Sequence, residues 1–175
     1  MFSHGLISAA LFMLVGTLYE RTHTRQVADY GGITKYMPKC FYLFTLAAMG
    51  NLALPALSGF VGESLVFYGA FTSKYFAGFS TALHFNFGQI CVLFSAVSVI
   101  LTAGYMLWLL QRVFMGPENT KWSNLADLRT SEIVVLASLL ALVIIWGVYP
   151  MSLSNLYEPS STSLLNYVQH IVGRL

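Results

Sequence analysis

The chain has 175 residues, of which 57% are hydrophobic and only 9% charged, and its formal net charge at pH 7 is +2. That composition, with a mean hydropathy of +0.68, excludes a soluble globular domain, and so small a net charge leaves no footprint for nucleic acid. The class that remains is an all-α integral membrane protein, with room for about four spans at ~20–25 residues each.

The first apolar segment runs from Met1 to Tyr19 and stops at a charged border, Tyr19-Glu-Arg-Thr-His-Thr-Arg25. Its polar side chains before Thr17 include Ser3 and His4. The loop that follows holds Arg21, Arg25, Lys35 and Lys39 against Glu20 and Asp29, with a turn at Gly31-Gly32. The second segment extends from Cys40 to about Ser73, with Glu63 its only charge. As one straight helix it would measure ~51 Å, against a hydrocarbon core ~30 Å thick. Pro55 removes a backbone donor and clashes with the preceding turn, while Gly59 and Gly62 tolerate unusual dihedrals. A helix broken near Pro55–Gly59 is therefore expected, with Glu63 just past the break.

The third segment runs from about Phe87 to Phe114. Tyr105, Trp108 and Arg112 near its end form an interfacial aromatic belt with a cationic anchor, and Gly116-Pro117 terminates it. Thr130-Ser131-Glu132 can cap a fourth helix over 132–149, which stops at Pro150. Residues 1–150 thus make a bundle of helices at about 1–19, 40–73, 87–114 and 132–149. The Ser-rich tail, 151–175, reads as loop with a short surface helix near Leu164–Val172. Loops one and three carry most Lys and Arg, so the positive-inside rule puts both on the cytoplasmic or matrix side, with Lys74 and the C-terminus opposite.

An ionisable side chain at membrane depth is a functional candidate by default. For Glu63 the plainer reading is a carboxylate at a helix end facing water. For His4 it is a histidine satisfied at a buried helix terminus, although a pKa near 6.5 suits it to relay protons. Glu20, Arg21 and Arg25 read most simply as a solvated helix border. Ser95, Ser98, Thr102 and Tyr105 read as a hydrated path or, more simply, as helix packing. His23, His84 and His170 suggest no role. Cys40 and Cys91 read as buried inert thiols; no metal-ligand set, GxGxxG or haem ligand pair is visible, so no redox cofactor is expected in this chain.

Several runs together carry a family resemblance: Ser3-His-Gly-Leu-Ile-Ser-Ala-Ala-Leu-Phe12, the Tyr19–Arg25 border, Gly31-Gly32, Leu54-Pro-Ala-Leu-Ser-Gly-Phe-Val-Gly-Glu63, and Gly104-Tyr-Met-Leu-Trp108 with Arg112 and Gly116. In this order, over about residues 1–150, they resemble subunit 4 of proton-pumping NADH:quinone oxidoreductase, respiratory complex I. That antiporter-like fold has fourteen transmembrane helices and two inverted repeats, each with a broken helix. The resemblance implies that this chain supplies the last four, either as a fragment of the subunit or, the reading favoured here, as one part of a split subunit whose first ten helices are carried by a separate polypeptide. It puts Glu63 on the family's carboxylate of the broken twelfth helix and His4 on its histidine of the eleventh. It implies membrane-arm subunits and lipid as partners, with flavin, iron–sulfur clusters and quinone held in other subunits. The compartment it suggests is the mitochondrial inner membrane, or alternatively a bacterial plasma membrane. Two other readings are a subunit of a multi-subunit sodium–proton antiporter and a membrane scaffold without a transport role.

Overall fold

The computed structural model describes residues 1–73 and 86–172, and among these it is built of helices and connecting loops. In chain order the helices are α1 (Phe2–Thr22), α2 (Pro38–Asn51), α3 (Ser58–Thr72), α4 (Phe87–Phe114), α5 (Thr130–Val148) and α6 (Met151–Val172). Helices α1, α4 and α5 are each long and apolar enough to cross a membrane. Helices α2 and α3, at 14 and 15 residues, are each too short, and together they form the interrupted span. Lys74 and His84 lie outside the described residues.

The centre of the bundle is α5, which packs along α1, α2 and α3. Ala10 and Leu14 of α1, Ala47 and Ala48 of α2, and Leu136 and Leu140 of α5 are almost fully buried. Small side chains at these contacts let helix backbones approach, which is how membrane helices gain packing energy when lipid is as apolar as the core. Helix α4 packs along α3 and, by its last turns, against α2 and loop one, where Phe114 is buried against Phe44 with ring centroids 5.0 Å apart. Most of its remaining apolar surface is exposed, including Phe94, Val97, Leu101 and Tyr105, and so is Cys91, which an apolar segment suggested would be buried; Cys40 is buried as expected.

Loops one and three knit into one polar face. The Asp127 carboxylate accepts from the backbone amides of Lys39 (3.0 Å) and Cys40 (3.3 Å), capping the open amides of α2 behind Pro38. Glu132 accepts from the Arg129 amide at 2.7 Å, closing the first turn of α5. Arg21 donates to the Glu132 carboxylate at 2.7 Å and to the Asp127 carbonyl at 3.3 Å. The Asp29 carbonyl accepts from Asn119 and from the Trp122 indole. Gly32, at φ +60°, fits where a Cβ would stand 2.9 Å from Glu118 Cα. Burial is the main cause that raises the Tyr30 phenol above its ordinary pKa; its hydrogen bond with Thr22 opposes the rise and the Asp29 charge adds to it.

Three expectations need correction. The first helix continues through Glu20 and Arg21 to Thr22, and Arg21 is not part of a solvated border. Its side chain is 13% exposed and ion-paired. The tail is helical from Met151, not from Leu164, and carries Pro159 inside it. The hydroxyls that suggested a loop fold back onto the helix: Thr162 bonds the Glu158 carbonyl at 2.7 Å and Ser163 the Pro159 carbonyl at 2.8 Å. The interruption also lies earlier than Pro55–Gly59. It occupies residues 52–57, and both Gly59 and Gly62 belong to α3.

Candidate functional site

The run Leu52-Ala-Leu-Pro-Ala-Leu57 leaves α2 through turn hydrogen bonds from Leu52 to Ala48 (3.0 Å) and from Ala53 to Gly50 (3.2 Å). Pro55 cannot donate, so the helix cannot resume through it. Ala53 (φ 51°) and Ala56 (φ 75°) adopt left-handed backbone, a state costing roughly 1–3 kcal/mol for a residue with a Cβ. Two close approaches hold the strained segment. Gly59 seats the first turn of α3 on the end of α2, where a Cβ would lie 3.0 Å from the Gly50 carbonyl oxygen. Gly147 of α5 lies against the break itself: a Cβ there would overlap the Ala56 carbonyl oxygen and stand 2.5 Å from Leu57 Cα.

Beside the break is a cavity of about 210 Å³ lined by His4 and Ser3 of α1, Asn51 at the end of α2, and Ser58, Gly62 and Glu63 of α3. Two residues 59 positions apart in sequence, His4 and Glu63, thus share one wall system. The volume exceeds the ~30 Å³ share of a liquid water several times over. His4 Nε2 lies 3.3 Å from Ser8 Oγ, a contact whose direction depends on the imidazole tautomer. Ser58 is 4% exposed, and its hydroxyl has no protein partner. A buried hydroxyl left unpaired is costly, and its residue borders this cavity. Ser3 Oγ reaches the Ser58 carbonyl at 3.5 Å. Both His4 and Glu63 are exposed at the cavity rim.

The structure brings His4, Glu63, Gly59 and Gly62 to one cavity, while Pro55 lies in the break and does not line it. Gly62 lines the same cavity with no atom within 4 Å of a Cβ, so it supplies room and not a bend. Ser95 and Thr102 do not reach the cavity; their hydroxyls bond the carbonyls of Cys91 and Ser98 on their own helix, at 2.8 and 2.9 Å. Three participants had no clear sequence signal. Ser58 and Asn51 look like ordinary polar residues of an apolar run, and Gly147 looks like a helical glycine. Only their placement against the break reveals them.

Comparison with known proteins fits this geometry. A family model described as NADH:quinone oxidoreductase/Mrp antiporter, TM, matches residues 1–87. The NAD(P)H-quinone oxidoreductase chain 4 of Acaryochloris marina is 42% identical over 172 residues, which is 97% of this chain and 31% of that protein. The chloroplastic chain 4 of Mesostigma viride is 42% identical over 98% of this chain and 33% of its own. A chain of respiratory complex I from Thermus thermophilus with bound NADH superposes with a TM-score of 0.70 at 28% identity, covering 87% of this chain and 29% of that one. The chain spans about a third of the length of these relatives. It belongs to the antiporter-like membrane family of NADH:quinone oxidoreductase and Mrp antiporter subunits, and within it resembles chain 4 of the quinone oxidoreductases.

Proposed function

We propose that this chain forms part of the proton-translocating membrane arm of an NADH:quinone oxidoreductase, in which Glu63 loads and releases a proton and His4 relays it. One observation carries the reading: a carboxylate and an imidazole from different helices line one polar cavity at a helix break. Non-helical backbone at membrane depth persists where it is buried in protein or lines a wet cavity; here Ala53 and Leu57 are buried, and Ala53 also lines the cavity. Waters can bridge the gap between imidazole and carboxylate, since a bridged bond is nearly as favourable as a direct one.

In this reading the remaining helices of a full-length subunit 4 complete the walls around His4 and Glu63. Flavin, iron–sulfur clusters and quinone reside in other subunits, and the electron-transfer chemistry happens there. The membrane is an energy-transducing one, and we take it to be the mitochondrial inner membrane. An Mrp-type antiporter subunit is the second reading, since the matched family includes both. The high identity to chain 4 relatives favours the oxidoreductase.

The test is proton pumping per NADH oxidised in vesicles reconstituted with the assembled complex. Glu63→Gln keeps the shape and removes the titratable group, so flow by this route should fall ~100-fold or more. NADH oxidation should persist once the membrane is uncoupled. Glu63→Asp should retain part of the pumping. A fully assembled Glu63→Gln complex that pumps like wild type would sink the proposal. Recovery of the chain without flavin and iron–sulfur proteins would favour the antiporter reading instead.

A further inference from the structure

A second polar cavity lies at the opposite end of the bundle, where α4 meets loop one. It measures about 460 Å³, and its lining includes Tyr30, Gly31, Trp108, Gln111, Arg112 and Gly116, with no carboxylate. Arg112 is exposed. Among the described residues the two ion pairs are Arg21–Glu132 and Lys35–Glu118, so this guanidinium has no acidic partner there. It lies over the Trp108 ring, 5.7 Å from the centroid, a cation–π contact that holds the charge at the level of the interfacial aromatic.

Below the cavity, Trp108, Tyr105, Leu101 and Phe94 follow Arg112 at helical spacing and share one face of α4. All four are at least half exposed, from 51% at Trp108 to 74% at Phe94. An unpaired cation in a polar cavity, an aromatic pair beneath it and an apolar track descending the helix match one ligand from head to tail. We propose that this site seats an anionic phospholipid, its phosphate on Arg112 and an acyl chain along Trp108, Tyr105, Leu101 and Phe94. Arginine forms forked, charge-assisted hydrogen bonds with phosphate oxygens, and the cavity is large enough for a glycerophosphate headgroup. Basic pockets beside membrane helices on the positive-inside face recognise anionic head groups through the same chemistry. The site is independent of the His4–Glu63 cavity, and it stands whether or not that cavity moves protons.

The test uses the whole complex in nanodiscs of phosphatidylcholine containing a minor fraction of phosphatidylglycerol, with retained lipid counted by mass spectrometry after detergent washing. Arg112→Gln should lower retained phosphatidylglycerol about five-fold relative to wild type, while Arg112→Lys keeps most of it and phosphatidylcholine is unchanged. In parallel, p-benzoylphenylalanine in place of Tyr105 should cross-link to lipid acyl chains. That arm leaves Arg112 intact and so decides the matter even where Arg112→Gln fails to assemble. Unchanged phosphatidylglycerol in assembled Arg112→Gln complex overturns the proposal. So does a cross-link to a neighbouring polypeptide, and so does full displacement by inorganic phosphate, which would make the site one for soluble anions.

Discussion

The two ends of this bundle treat polar groups in opposite ways. At the loop end, Asp127 serves three backbone amides, Glu132 joins a guanidinium to a helix start, and the Asp29 carbonyl takes two side-chain donors. At the break end, two alanines hold left-handed backbone, the Ser58 hydroxyl lacks a protein partner, and Glu63 and His4 face a cavity. Satisfied polar groups fix a geometry, whereas unsatisfied ones keep room for a mobile species such as a proton or water. The contrast separates what holds the chain together from what it uses.

Substitutions can break this contrast from either side. The largest effect belongs to Gly147→Ala, whose new methyl would occupy the place of the Ala56 carbonyl. Neither side is a flexible side chain, so the break must move off α5. Destabilisation of about 3 kcal/mol or more is expected from such overpacking, read as lost assembly on native gels. Normal assembly and pumping of this variant would mean that the break does not seat on α5.

Next comes Arg21→Gln, which strips the partner from Glu132 and the donor from the Asp127 carbonyl. Both side chains are less than a fifth exposed, and removing one member of such a pair costs up to about 3 kcal/mol. Thermal unfolding of the detergent-solubilised complex would report it, with pumping per NADH preserved in the molecules that stay folded. A selective loss of pumping would instead tie the loop network to proton movement.

Gly62→Ala sharpens the comparison at the break end. Alanine replaces a helical glycine in open space, so α3 should gain about 0.5–1 kcal/mol while the new methyl narrows the cavity. Greater thermal stability with slower pumping is the expected pair of outcomes; faster or unchanged pumping would show that cavity volume does not matter. The smallest effect belongs to Lys35→Gln. Its bridge to Glu118 is exposed on both sides, at 62% and 49%, and exposed pairs contribute little. No measurable change in melting temperature is expected. A clear drop would show that the loop face is covered in the complex.

Much of this was legible before any coordinates. The excess length of the 40–73 run and its proline require an interruption, and Gly116-Pro117 ends α4 where expected. The position of the break was harder to read, because glycine suggests flexibility and here two alanines take the left-handed turns while Gly59 serves close packing. Arg21 looked like solvated border because its partner, Glu132, lies more than a hundred residues away. The tail misled by composition: its serines and threonines satisfy their hydroxyls on helical carbonyls, an option that sequence alone does not separate from a loop.

The Gly147 contact also sets an electrical distance. Helix α5 carries Glu132 of the loop network near one end and Gly147, against the break, near the other, about 22 Å apart at ~1.5 Å rise per residue. The uninterrupted α4, with 28 residues, measures ~42 Å. Helix α5 is itself long enough to cross a membrane, so the break lies toward the end of the span away from the loop face. In the proposed function, a proton passing between the loop face and the cavity crosses most of a membrane potential worth about 2.3 kcal/mol for each 100 mV. A change of about 100 mV would then shift the occupancy of the proposed proton site several-fold or more, so that the driving force acts on it directly.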